Sequence, residues 1–357
     1  MAVEVKQVSA DEAGMRLDRW FKAHFPDLSF GHLQKLVRTG QVRVDGGRVK
    51  TSTRLDPGQS VRIPPLGVDA DGIEPVDAAD EAARSAASGG EAGERPAAPR
   101  GVVAAAARRE NEDLTALKAM ILYEDKDVMV LNKPMGLAVQ GGSGTYRHID
   151  GMLDSMRDRD GQKPRLVHRI DKDTAGCLLI AKTRLAASIL TKSFRSREAR
   201  KIYWALVPGV PKPRQGRIST SLAREESEER MRVARHGEDE ASHALTYYAV
   251  VDQAAQKMSW LSLKPVTGRT HQLRAHMAHI GHPIVGDPKY FNIENWEFPG
   301  GMQNKLHLLA RRIVIPHPRG TGVIDVSAPL PPHMAQSWAV LGLDATQYDP
   351  ILEAPEA

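Results

Sequence analysis

The chain has one cysteine in 357 residues, Cys177. An internal disulfide is therefore excluded, and the composition fits a reducing compartment such as the cytoplasm. Long apolar runs are missing as well, because every hydrophobic stretch is short and broken by charge, so no transmembrane helix is expected. The opening Met-Ala-Val-Glu-Val-Lys-Gln has neither the apolar core of a secretory signal nor the Arg/Ser-rich, acid-poor character of a transit peptide. No internal repeat is visible. What remains is 41% hydrophobic with a mean hydropathy of −0.38, the balance of a soluble globular protein. A chain of this length holds a sizeable core and is expected to form two domains and a linker.

Charge is unevenly spread. The net charge is +5, yet residues 66–113 carry 11 acids against 5 Lys/Arg, while 1–65 carry 11 Lys/Arg against 7 acids. Two basic segments thus flank an acidic one, a distribution compatible with a polyanionic partner. The segment 66–113 is rich in Ala, Asp, Glu, Gly and Ser and poor in large apolar residues, so it cannot bury enough surface to offset its ordering entropy. It reads as a flexible linker, with Ala104 to Ala107 able to extend a short helix into the next domain.

Residues 1–65 read as two short helices followed by a hairpin. Arg16-Leu-Asp-Arg-Trp-Phe21 opens the first helix, Ser29 is a plausible N-cap for the second, and Leu33, Leu36 and Val37 fall at helical spacing. Gly40 ends that helix, and Val42-Arg-Val-Asp-Gly-Gly-Arg-Val49 is a hairpin signal. Lys35, Arg38, Arg43 and Arg48 are then available for phosphates. This order resembles the S4 RNA-binding domain; a merely solvated basic face reads equally well from the residues alone.

From Ile121 onward the pattern is α+β. A hairpin over 121–131, a turn at Asn132-Lys-Pro-Met-Gly136, a helix over 148–156 and an amphipathic helix over 184–194 are expected. Strands are expected at 201–207, 244–251 and 259–265, where β-favouring residues gather. Their irregular spacing argues against a regular alternation of parallel strands and helices. The catalytic domain is expected over 114–335, with 336–357 as a C-terminal tail.

One stretch concentrates chemistry: Arg165-Leu-Val-His-Arg-Ile-Asp-Lys-Asp-Thr-Ala-Gly176. His168, Arg169 and Lys172 surround Asp171 with positive charge, which favours the ionised carboxylate. Thr174 and Gly176 imply a tight turn that leaves the acid at a loop mouth. Taken alone, such an aspartate also reads as an ion-paired turn cap. A second stretch runs Lys264-Pro-Val-Thr-Gly-Arg-Thr-His-Gln-Leu-Arg-Ala-His-Met-Ala-His-Ile-Gly-His-Pro-Ile-Val-Gly-Asp287. Thr270 is its expected N-cap and Gly281 its stop; Leu273, Met277 and Ile280 face the core, with His271 and Arg274 on an adjoining stripe. His271, His276, His279 and His282 invite a metal reading, but no carboxylate or cysteine interleaves at ligand spacing, so no metal is expected.

His168-Arg-Ile-Asp-x-x-Thr-Ala-Gly176 closely resembles the His-Arg-Leu-Asp-x-x-Thr-Ser-Gly motif of RNA pseudouridine synthases, and in particular the bacterial branch acting on large-subunit ribosomal RNA. Ile170 and Ala175 are the two departures. The 264–287 stretch, the Lys201-Ile-Tyr203 segment and Asn132-Lys-Pro-Met-Gly136 match the same family, for which an S4 module is the usual N-terminal companion. The resemblance implies a pseudouridine synthase fold with a mixed, mostly antiparallel sheet. It makes Asp171 the catalytic acid, Tyr203 the ring that stacks on uracil and assists proton removal from C5, and Arg274 the partner of Asp171. His168, Arg169, Arg269 and His271 become candidates for substrate or RNA contact, and Lys133 either supports the fold or binds backbone phosphate. It implies ribosomal RNA of the large subunit as partner, a monomer, and no cofactor.

Pseudouridylation needs no redox change or energy source. The bond from N1 of uracil to C1′ breaks, the base turns, and C5 takes its place, with Asp171 acting either at C1′ or on the C2′ proton. Two other readings stand beside this one. Asp171-x-Asp173-Thr174 is similar to the Asp-x-Asp-x-Thr loop of magnesium-dependent haloacid-dehalogenase phosphatases, although His168 and Arg169 interrupt the strand expected before it. A non-catalytic RNA-binding assembly factor would also carry the S4 module and the basic charge.

Overall fold

The computed structural model describes residues 4–355 apart from 10, 11, 13, 26, 27, 29, 66–99, 143, 144, 159, 160, 226–229, 235–237, 239, 240 and 295, with backbone alone for 100–107. The expected Ser29 cap and the 66–99 part of the linker lie outside these residues. The chain divides into two compact units, Met1–Arg95 and Pro96–Ala357.

The first unit contains β1 (Glu4–Gln7), α1 (Leu17–His24), α2 (Phe30–Arg38), β2 (Arg43–Val44), β3 (Gly47–Arg48) and β4 (Ser60–Ile63). The strands form one antiparallel sheet in the order β1-β4-β2-β3. Leu17, Trp20 and Phe21 from α1 and Leu33, Leu36 and Val37 from α2 are buried against Val44, Val61 and Ile63. Each such side chain contributes about 1.5–3 kcal/mol on burial. Gly40, at φ +74°, ends α2 in the left-handed conformation that a glycine adopts without strain. The helices and hairpin match the sequence reading. The short strands β1 and β4 do not stand out in the sequence, since four residues are too few to declare a period.

The second unit opens with α3 (Arg100–Ala119), β5 (Ile121–Glu124), β6 (Val128–Lys133), α4 (Ile149–Met152), β7 (Arg165–Leu166), β8 (Ala175–Ala181) and α5 (Arg184–Arg195). It continues with β9 (Arg200–Pro208), β10 (Gln215–Arg224), β11 (Met231–Val233), β12 (Ser242–Ala254) and β13 (Met258–Pro265), then α6 (Gln272–His279), β14 (Leu308–Pro316), β15 (Val323–Ser327) and α7 (Pro332–Leu341). Eleven strands make one sheet along the path β11-β10-β12-β13-β9-β14-β8-β6-β5, with β15 on β14 and β7 on β8. Only β8 and β14 pair in parallel, so the unit is α+β with a mixed, mostly antiparallel sheet. All seven residues of β8 are buried, which explains why this strand reads as a continuous apolar run rather than an alternating one, and all eight of β13 are buried too, Ser259, Ser262 and Lys264 included.

Two features position the site. Gly176, expected as a turn residue, instead lies in β8 at φ +108°, where a Cβ would stand 2.3 Å from the carbonyl oxygen of Ala310. The close approach of β8 to β14 therefore requires glycine. The second concerns the expected C-terminal tail over 336–357, whose described residues, 336–355, pack against the rest of the unit. Trp338 and Ile351 are buried in the main core, and the Asp349 carboxylate accepts hydrogen bonds from Trp204 Nε1 at 3.0 Å and Ser262 Oγ at 2.7 Å. Lys264 Nζ donates to the carbonyls of Ala354 and Pro355, both at 3.0 Å. A segment whose apolar residues are spread irregularly among Gly, Pro and scattered polar residues gives no sequence period to detect.

Candidate active site

Asp171 sits in the loop that joins β7 to β8, and the backbone on both sides of it is held. Ile170 is buried in the core, and the Thr174 N–H donates to the Asp171 carbonyl at 3.1 Å. The Lys172 carbonyl accepts from the Gly136 N–H at 2.9 Å and from Lys133 Nζ at 2.9 Å. Lys133 Nζ also donates to the carbonyls of Pro134 and Leu137, at 2.9 and 2.8 Å. With three carbonyls satisfied and no exposed surface, Lys133 cannot reach a phosphate, so of its two expected roles it is the fold that it supports, and its RNA-binding role is corrected. Burial pushes its pKa down to about 7, opposed by Asp173 and Asp171. The Asp171 carboxylate is half-buried and takes no hydrogen bond among the described residues.

Tyr203 projects from β9 between Leu263 of β13 and Ala310 of β14. Burial, and then the charges of Asp171 and Cys177, raise its phenol above the ordinary range. It stays protonated at neutral pH, so this environment favours ring stacking over a phenolate base. Asp171, Tyr203 and Arg274 line one cavity of about 510 Å³.

Arg274 differs from expectation in its partner. Its Nε and Nη2 each lie 2.7 Å from a carboxylate oxygen of Asp287, a bidentate pair in which the side chains are 2% and 0% exposed. Asp287 also accepts from the N–H groups of Lys289 and Tyr290, at 2.9 and 3.2 Å. Burial works against the Arg274 charge, but Asp287 outweighs it and Asp171 adds to the effect, so the pKa rises. Arg274 thus acts on Asp171 through its field, while its hydrogen bonds go to Asp287. Helical spacing gave the direction of Arg274 but could not choose between two carboxylates.

His168 is also corrected. Its Nε2 accepts from the Leu179 N–H at 2.8 Å, its ring stacks on Phe194 at 4.5 Å, and burial, with Lys201 nearby, pushes its pKa down to about 3. It is a neutral pin between the loop and β8, not a charge that holds Asp171 ionised. Besides Arg274, the pocket's cations are Arg169, Arg195, Arg197, Lys201 and Arg269, of which Arg195 and Arg197 carry no motif that marks them in the sequence. They lie at the end of α5 and just beyond it, far from either motif. Arg269 is exposed and donates from Nε to the His243 carbonyl at 3.1 Å.

Lys201 leads to a pH prediction. Burial, and then Arg197, push it down to about 8, well below an ordinary lysine. Raising the pH from 7 to 9 removes its proton and weakens a phosphate contact by up to about tenfold, the limit for one group titrating near 8. Fluorescence anisotropy with an RNA probe should show this loss in the native chain, whereas Lys201→Arg stays charged and flat. An equal loss in both would rule Lys201 out.

His271 takes the N-cap position of α6 in the left-handed conformation at φ +50°, displacing Thr270 from its expected role. Its Nδ1 lies 3.2 Å from Tyr290 Oη, and burial lowers its pKa. It is not among the residues lining the cavity. The remaining histidines do not converge. His276 is buried between the hydroxyls of Thr246 at 2.9 Å and Thr220 at 3.0 Å and is pushed down to about 4, chiefly by burial, while His279 is exposed. His282 Nδ1 lies 2.7 Å from the Pro208 carbonyl. In the first unit Lys35 and Arg38 are exposed on α2, whereas the Arg43 guanidinium binds the carbonyls of Gly40 and Gly46, each at 3.1 Å. Arg43 thus braces the hairpin rather than standing free for phosphate. The phosphatase reading loses its structural basis, because Asp171 follows a two-residue antiparallel strand instead of ending a buried parallel one.

Comparisons with known proteins point to one family. The family described as RNA pseudouridylate synthase matches residues 127–279, and the S4 domain matches 15–61. Ribosomal large subunit pseudouridine synthase C of Escherichia coli K12 is 32% identical over 335 residues, covering 92% of this chain and 93% of the relative. The protein of that name from Vibrio parahaemolyticus is 31% identical over 329 residues, covering 92% and 93%. Among solved structures, human RNA pseudouridylate synthase domain containing 4 superposes with a TM-score of 0.57 at 27% identity, covering 67% of this chain and 98% of that one.

Proposed function

The chain belongs to the RNA pseudouridylate synthase family, and from that premise we propose that it isomerises uridines of large-subunit ribosomal RNA with Asp171 as the reacting carboxylate. One observation carries the assignment: Asp171, Tyr203 and Arg274, from three separate elements, line a single cavity, and the Asp171 carboxylate has no protein hydrogen-bond partner among the described residues. A free carboxylate at the wall of a pocket that a base can enter is what cleavage of the N1–C1′ bond requires, whether it attacks C1′ or takes the C2′ proton. Tyr203 stacks on the detached uracil while it turns to present C5. Arg274, fixed by Asp287, supplies positive potential from a rigid helix. The target uridine must leave its helix to enter, which selects accessible loop nucleotides.

The names of the relatives support ribosomal RNA as substrate, and the S4 unit offers Lys35 and Arg38 for its backbone. No described helix is long and apolar enough to cross a membrane, and a lone buried cysteine supports the cytoplasm as the place of action. The catalytic groups come from one chain, which supports action as a monomer. The test is incubation of the purified chain with unmodified large-subunit ribosomal RNA and, separately, transfer RNA, followed by chemical mapping of pseudouridine. Discrete new sites in ribosomal RNA are expected. Sites in transfer RNA alone would redirect the substrate, and none in either would leave the non-catalytic assembly reading.

A further inference from the structure

A second cavity, of about 460 Å³, adjoins the catalytic pocket and is bounded by Asp173, Asp287, Phe291, Trp296, Phe298 and Lys305. The two share a wall, since Arg274 lines one and its bidentate partner Asp287 lines the other. Asp173 stands two residues beyond Asp171 on the same held loop. In a chain with only 5% aromatic residues, three rings gather here: Phe291 and Trp296 pack edge to face at 5.3 Å, and Trp296 and Phe298 at 6.3 Å. All three are half-buried, so the cluster keeps exposed ring surface.

The floor of this cavity is rigid. At Gly286, φ +71°, a Cβ would lie 2.0 Å from the Lys305 carbonyl oxygen, so the segments bearing Asp287 and Lys305 are in direct backbone contact. One polar group at the cavity has unmet hydrogen-bonding capacity: the Asp173 carboxylate is half-buried and accepts no hydrogen bond among the described residues. Asp287 is neutralised by Arg274, and Asp173 offsets Lys305, so the cavity carries no net positive charge to attract a phosphate. Aromatic faces beside an open carboxylate instead fit a flat heterocycle with N–H donors on its edge.

We propose that this cavity is a second nucleobase subsite, which takes a base flanking the target uridine and extruded from the same RNA strand. The inference rests on the RNA-modifying activity proposed for the catalytic pocket. The base stacks on the aromatic cluster and presents N–H donors to Asp173, so guanine, with adjacent ring and exocyclic N–H groups, fits best. Filling both cavities at once fixes the register of the strand across the Arg274–Asp287 wall, which makes the subsite a determinant of which uridine is chosen.

The test uses the full chain and a ribosomal RNA fragment containing a uridine mapped as its target, with abasic substitutions at each neighbouring nucleotide in turn. One abasic position should raise KM by about tenfold or more, the scale of base–aromatic stacking. Trp296→Ala should raise KM similarly on intact RNA with kcat little changed, and should cause no further loss on that abasic RNA. Trp296→Phe should recover most of the affinity. Asp173→Asn, which keeps the shape of the side chain, should weaken discrimination between guanosine and inosine at the same position. If an active native enzyme shows additive losses at every position, or Trp296→Ala and Trp296→Phe both keep the native KM, the subsite does not exist. An inactive native enzyme would instead overturn the RNA reading, and this inference with it.

Discussion

Asp171→Asn is expected to abolish pseudouridine formation, a loss of about 10⁴-fold or more, while the fold and RNA affinity stay close to native. The magnitude follows from removing a group that acts on the reacting bond rather than one that positions it. The substitution keeps the size of the side chain and removes its negative charge. It should leave the loop unchanged, because the loop is held by backbone groups: the Lys172 carbonyl by Lys133 and Gly136, and the Asp171 carbonyl by Thr174. No protein hydrogen bond is lost, since the carboxylate makes none among the described residues. RNA affinity should persist because Arg169, Arg195, Arg197, Lys201 and Arg269 remain around the pocket. Single-turnover release of tritium from RNA labelled at C5 of uridine, with anisotropy for binding, reads both quantities. Turnover within tenfold of native would remove Asp171 from the reaction.

Asp287→Asn carries the second large effect, this time on both stability and turnover. Arg274 is buried, and its fork is satisfied by Asp287 alone among the described carboxylates. Removing one member of a buried pair leaves an uncompensated charge and costs about 3–5 kcal/mol. For a unit of this size that corresponds to a fall in Tm of roughly 6–20 °C. Activity should fall as well, because Arg274 is then free to leave its position beside Asp171. The double variant Arg274→Met/Asp287→Leu separates the two effects. Replacing the pair by apolar side chains should restore most of the stability, yet turnover should remain lost. A native Tm in Asp287→Asn would contradict the buried clamp, and turnover in the double variant would deny Arg274 any part in the chemistry.

The contrast between these two aspartates shows what is legible in sequence. Asp171 stands out because its neighbours in sequence are its neighbours in space: a turn, a buried Ile170 and a following strand all lie within a few residues. The two short helices and hairpin of the first unit are legible for the same reason, since local spacing and turn chemistry specify them. Asp287 closes the second motif, yet nothing in its spacing reveals that it faces Arg274 from across a loop. Nor can spacing tell that His168 is turned inward onto Leu179 and Phe194, or that Lys133 spends its three protons on carbonyls. Each of those outcomes depends on which groups the folded chain buries together, and burial is a property of packing that charge and periodicity do not encode.

By itself, then, the sequence determined the kind of fold, a small basic N-terminal part and a larger α+β part, and Asp171, Tyr203 and Arg274 as candidates, which the fold brings to one cavity, because motif wording and local periodicity reside in short stretches. Only the tertiary structure decided the electrostatic wiring: Arg274 bonded to Asp287 instead of Asp171, a neutral His168, a protonated Tyr203, and a cationic rim from α5 and its end. It also decided that residues 336–355 help complete the core and that an aromatic cavity stands beside the pocket. These features join residues tens of positions apart, and their energies come from desolvation and close contact, which exist only once the chain has folded.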